Sequence, residues 1–97
     1  MRYTINWSND VYNDLDEIRT YLEGFSVQTA NRILSKIVDQ ANDLVNFPFR
    51  CQKISDNSNK RRLVVDGYSV FYEIYENEKI VQILFVWHHS RDIGHLT

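Results

Sequence analysis

Cysteine and proline occur once each in this chain, as Cys51 and Pro48, and each scarcity excludes something. A lone cysteine cannot form an internal disulfide, so a reducing, cytoplasmic setting is expected. With one proline, no low-complexity tract and no internal repeat, there is no candidate linker. The 97 residues are expected to form one domain (1–97), burying roughly 60 to 65% of the extended surface. No apolar run approaches the roughly 20 residues needed to cross a bilayer, and no basic leader with an apolar stretch opens the chain. A membrane role is therefore not expected. Excess positive charge is also missing. Eleven Lys and Arg against thirteen Asp and Glu give a formal charge of −2, which argues against strong, indiscriminate binding to nucleic acid.

The near-neutral total hides an asymmetry. Asp10, Asp14, Asp16, Glu17 and Glu23 make the first quarter acidic, whereas Arg50, Lys53, Lys60, Arg61 and Arg62 form a basic patch in which Asp56 is the one acid. Aromatic residues make up 13% of the chain, enough for a packed core with aromatic surface to spare.

Periodicity supplies the elements. Arg2 to Trp7 alternates strictly and reads as a half-buried strand. Ser8 is a candidate N-cap for a helix starting at Asn9, with Val11, Leu15, Ile18 and Leu22 at helical spacing up to Gly24, a residue able to take the left-handed stop conformation. Ser26 caps a second helix striped by Ala30, Ile33, Leu34, Ile37, Val38, Ala41, Leu44 and Val45 and ended by Phe47-Pro48. The short connection makes the two helices an antiparallel hairpin.

After Pro48 the period becomes two. Residues 50–54 are a candidate short strand, and Ser55 to Asn59 a polar loop with nothing to order it by burial. Leu63 to Val65, Asp66-Gly67 and Tyr68 to Tyr75 read as a hairpin on a primed turn, and a further turn at Glu76 to Lys79 leads into Ile80 to His88. The expected fold class is α+β: an N-terminal strand, an antiparallel helical hairpin, then a three- to four-stranded, mainly antiparallel sheet packed against the hairpin.

Candidate chemistry gathers at the end of the last strand. His88 and His89 come first, because imidazole is the side chain whose unperturbed pKa suits proton transfer near neutrality, and they alternate, so one points to each side of the strand. The bland alternative is one packing histidine and one solvated one. Arg91, together with the Lys60-Arg61-Arg62 run, is suited to holding a phosphodiester and stabilising charge that develops on it, although charge runs are more often plain solvated surface. Cys51 reads as a small half-buried apolar residue rather than a nucleophile. His95 with the His pair only imitates a metal set, since no CxxC or HExxH is present, and no metal or other cofactor is expected.

Four stretches together resemble the RelE/ParE superfamily of small bacterial toxins. They are the opening strand ending in Trp7-Ser8, the run DLDEIRTYL followed by A-x-x-I-L-x-x-I, the Phe47-Pro48 break, and Gly67 to Tyr72 followed by ILFVWHHSRD. The resemblance spans nearly the whole chain. It implies a helical hairpin on a sheet, and a toxin neutralised by a cognate antitoxin. Members similar to RelE and YoeB cut messenger RNA on the ribosome by promoting attack of a ribose 2′-OH. On that pattern His88, His89, Arg91 and Arg62 would be catalytic, and Lys60, Arg61, Arg50 and Lys53 would contact RNA. This sequence departs from the RelE pattern at Ser69, where an arginine is usual, and in lacking a tyrosine after Arg91. As alternatives to this first reading, the resemblance implies a ParE-like poison of DNA gyrase, with the same residues as a docking surface, or a non-toxic module that binds only its antitoxin.

Overall fold

The computed structural model describes residues 2–89. Within it the elements run β1 (Thr4–Trp7), α1 (Asn9–Glu23), α2 (Val27–Asn42), a 3₁₀ turn (Asp43–Val45), β2 (Lys60–Val65), β3 (Tyr68–Tyr75) and β4 (Ile80–His88). The four strands form one sheet in the order β1-β4-β3-β2. β2, β3 and β4 are antiparallel neighbours, as the hairpin signals imply, whereas β1 lies parallel to β4 in the register Thr4↔Ile80 to Trp7↔Ile83. Hydrophobic alternation carries no information on strand direction. The parallel pairing arises because the helical hairpin returns the chain before the meander begins.

Both helices lay their apolar stripes on one face of the sheet. Val11, Ile18 and Leu22 of α1, and Ala30, Leu34, Ile37 and Ala41 of α2, are buried against Leu63, Val65, Val70, Tyr72, Val81, Ile83 and Val86. A fully buried aliphatic side chain such as Ile37 stabilises the fold by about 1.5–3 kcal/mol. At the rim, the Tyr72 hydroxyl donates to the Pro48 carbonyl at 2.8 Å. Burial pushes its phenol pKa well up, and the neighbouring Cys51 thiol adds to the shift.

Two local devices shape the sheet. A bulge between Phe71↔Phe85 and Tyr72↔Ile83 puts one extra residue, Leu84, in β4. The phase of alternation shifts there, so Ile83 and Val86 both face the helices while Phe85 and Trp87 face away. Past Trp7, β4 has no strand on its β1 side. Ser8 and Asp14 take over: the Ser8 hydroxyl donates to the Leu84 carbonyl at 3.0 Å, and the Asp14 carboxylate accepts from the Val86 N–H at 3.0 Å. Ser8 therefore makes no side-chain cap to α1, whereas Ser26 accepts from the Thr29 N–H as expected.

Three other sequence expectations differ in detail. Gly24 stays right-handed (φ −62°, ψ −21°), because the next helix is entered directly through Ser26. Residues 50–54 contribute one isolated bridge, Lys53↔Arg61, in place of a strand. The loop at 55–59 is ordered by polar contacts, Ser58 N–H to the Ser55 carbonyl and Lys60 N–H to the Ser58 hydroxyl. It folds Gln52 to Ile54 back along the β2 edge, where Ile54 N–H meets the Lys60 carbonyl and Arg62 N–H the Gln52 carbonyl. The Asp66-Gly67 turn has φ of 47° and 83°, the positive pair that a primed hairpin demands.

Candidate functional site

The face of the sheet turned away from the helices has no covering layer among the described residues. Alternation along β2, β3 and β4 places Lys60, Arg62, Val64, Ser69, Phe71, Phe85 and Trp87 there. At its centre three side chains converge. Arg62 Nε–H donates to Ser69 Oγ at 2.8 Å, Ser69 Oγ lies 2.7 Å from His89 Nε2, and Arg62 Nη2 is 3.4 Å from the same nitrogen. Ser69 is 1% exposed, so it holds the other two in place and cannot itself meet a substrate. The backbone assists, since His89 N–H donates to the Gly67 carbonyl at 3.0 Å and so ties the end of β4 to the β2–β3 turn.

His89 can act in either protonation sense. When its Nε2–H donates to Ser69, Nδ1 carries a lone pair and can accept a proton; when Ser69 donates to Nε2, Nδ1–H can give one. The Arg62 nitrogen beside Nε2 can only donate, which fits the second tautomer. A guanidinium and an imidazole held by one buried hydroxyl suit phosphate chemistry, the first as a fixed charge and the second as a proton carrier.

The remaining sequence candidates separate. Lys53 and Arg62 line one groove of about 480 Å³ with Gln52, Ile54, Val64 and Phe71. Lys60 stands opposite Glu73 at the start of β2, two residues from Arg62 and on the same face. Arg61 points to the other side. Its guanidinium donates to the Cys51 and Phe49 carbonyls and lies 5.1 Å over the Phe49 ring, stapling the segment after Pro48. Arg50 is engaged at the end of α2, with the Gln40 carbonyl and the Asp43 carboxylate. His88 faces the helices, stacked at 4.6 Å on Tyr68 and 5.7 Å from Tyr21. Arg91 and His95 lie outside the described residues. Among the described residues no three His, Cys, Asp or Glu side chains gather as a metal site, and no helix is long and apolar enough to cross a membrane.

Sequence reasoning passed over Ser69 as a group that organises the site. Its position after Gly-Tyr marked it as a departure, and the alternation Arg62-x-Val64 facing Ser69 was the available signal for a contact.

Comparison with solved structures finds the same fold among toxin–antitoxin proteins. The RelBE2 toxin–antitoxin complex of Mycobacterium tuberculosis matches with a TM-score of 0.71 and 23% identity, over 91% of this chain and 99% of that one. A chromosomal ParDE system of P. aeruginosa gives 0.75 and 21%, over 90% and 96%. A mutant of the E. coli toxin RelE in the free state gives 0.69 and 10%, over 99% and 93%. A search of curated protein sequences gave no significant match. The architecture is therefore that of the RelE/ParE toxins. A sequence profile of the ParE toxin of type II toxin–antitoxin systems (parDE) matches residues 5–93, and the chain belongs to this toxin family.

Proposed function

We propose that this toxin cleaves messenger RNA on the ribosome, with the open sheet face as its active surface. The observation that carries the reading is the convergence of Arg62 and His89 on Ser69. In the reaction, the oxygen of a ribose 2′-OH attacks the adjacent phosphorus as its proton passes to water. Arg62 stabilises the charge gathering on the phosphoryl oxygens, and His89 Nδ1–H protonates the 5′-oxygen, which leaves as a hydroxyl and gives a 2′,3′-cyclic phosphate. The nucleophile is the RNA's own hydroxyl, so the step asks no metal of the protein. Lys53 and Lys60 contact the RNA backbone, Arg91 adds charge beyond the end of β4, and Arg50, Arg61 and His88 serve the fold.

A second reading, poisoning of DNA gyrase, is favoured by the engagement of Arg62. Two of its nitrogens, Nε and Nη2, already face Ser69 and His89, as suits a preformed docking surface. The neighbours crystallised as toxin–antitoxin complexes support a cognate antitoxin as partner. A wrapping segment would bury the apolar part of the open face and screen its cations.

The test is induction of the chain in bacteria with and without its antitoxin, mapping RNA 5′ ends across translated messages. Breaks within codons that disappear in His89→Gln support the nuclease. Intact messages with accumulating gyrase-dependent DNA breaks support the second reading. Normal growth with neither lesion leaves a binding module.

A further inference from the structure

Phe71 and Phe85 sit directly across β3 and β4 with ring centroids 4.6 Å apart and planes 25° from parallel. They make an aromatic ridge on the open face of the sheet, and each ring lines a different groove. Phe71 borders the basic groove with Lys53 and Arg62. Phe85, still 37% exposed, borders a second groove of about 370 Å³ with Asp10, Asn13, Asp14, Val86 and Trp87. This second groove exists because β1 stops at Trp7, so the first turns of α1, rather than a strand, flank the last residues of β4. Its size falls within the range of about 300–1,000 Å³ for small-ligand sites.

The two sides of the ridge differ in chemistry. One is cationic. The other offers an aromatic ring and hydrogen-bonding side chains, of which Asp14 is committed to the Val86 N–H. Among the described residues Asp10 and Asn13 make no side-chain hydrogen bond or ion pair, and both line the groove. A carboxylate and an amide beside an aromatic ring match a stacked nucleobase whose edge presents an amino group. The carboxylate oxygens accept from that group, whereas uracil has no amino group and offers a single N3–H flanked by two carbonyl oxygens that repel the carboxylate. Arg62 and Phe85 lie two strands apart, about 10 Å at the usual strand spacing, so one short single strand can reach both grooves.

We infer that the Phe85 groove is a nucleobase subsite, taking an adenine, cytosine or guanine of single-stranded RNA in preference to uracil while the backbone crosses the ridge toward Arg62. This inference rests on the nuclease reading and names the part of the substrate that the sheet face recognises. The ring face supplies affinity without sequence preference, and Asp10 and Asn13 supply the discrimination.

The experiment is titration of the purified chain with short single-stranded oligoribonucleotides, read by fluorescence. Trp87 lines the groove, and Trp7 is the one other tryptophan in the chain, so a Trp7→Phe background isolates the signal. Adenylate and cytidylate oligomers should quench Trp87 and bind several-fold more tightly than oligouridylate. Phe85→Ala should weaken binding roughly 10- to 100-fold. Phe85→Leu, which keeps apolar bulk and protects the fold, should weaken it nearly as much. Asp10→Ala with Asn13→Ala should abolish the preference, and His89→Gln should keep binding while losing cleavage in cells. Wild-type affinity in both Phe85 variants, equal binding of uridylate, or a Phe85 effect confined to the antitoxin would overturn the subsite. Cleavage lost in His89→Gln would meanwhile uphold the nuclease reading on its own, and RNA binding without any cleavage in cells would uphold the subsite but reject that reading.

Discussion

Three neighbouring cations in the run Lys60-Arg61-Arg62 end in three different situations, and the difference lies in what each side chain meets. Arg62 turns to the open face and bonds Ser69, while Arg61 turns inward and staples the Phe49 and Cys51 carbonyls. Alternation makes that split legible, but the partners come from segments 7 to 12 residues away, which no local pattern specifies. His88 and His89 divide in the same way, and there the alternation sufficed to place them on opposite sides. Substitution should separate the two arginines. Arg61→Ala should lower the thermal midpoint by several degrees through lost carbonyl partners and packing on Phe49. Arg62→Ala should leave the midpoint nearly unchanged and reduce toxicity, read by growth after induction. Ser69 makes a sharper case. Ser69→Ala removes the hydroxyl shared by Arg62 and His89, at a cost of about 1 kcal/mol in urea unfolding, and the cleavage rate should fall because the imidazole loses its orienting partner.

At the scale of elements, the turns were the most legible parts and strand partnership the least. Asp-Gly between two apolar runs specifies a primed hairpin through its own backbone preferences, and the positive φ of Gly67 is the result. An added Cβ at Gly67 meets nothing within 4 Å, so the conformation alone sets the penalty of Gly67→Ala, about 1 kcal/mol in chemical unfolding. That variant should also loosen His89, whose N–H is held by the Gly67 carbonyl. The direction of β1 and the bulge at Leu84 were not legible, because both depend on contacts between the two ends of the chain. Asp14 reports on that junction. Asp14→Ala leaves the Val86 N–H without its carboxylate and should cost about 1–3 kcal/mol, far more than removing an exposed acid such as Glu23 from its ion pair with Arg19.

For the whole molecule, the helical stripes and the alternating strands were sufficient to name an α+β layer pair, since each buries the face its period defines. The open face of the sheet was harder to see. Phe71 and Phe85 carry the same apolar signature as core residues, and among the described residues no second layer covers them. One global property follows from the core rim. The folded protein holds the Tyr72 phenol protonated above its ordinary value of 10.0, so the folded state binds the proton that the unfolded state releases. Stability from this group is complete below about pH 10 and declines as the pH rises further, and Tyr72→Phe should remove that part of the decline in unfolding measured from pH 8 to 11. The central claim is that Arg62 and His89 form a ribonuclease centre. It is tested most directly by mapping RNA 5′ ends on translated messages minutes after induction, comparing wild type with His89→Gln. The account predicts sharp cuts within codons that fall roughly 10²- to 10⁴-fold in the variant, and intact messages during wild-type growth arrest, or equal cutting by the variant, would contradict it.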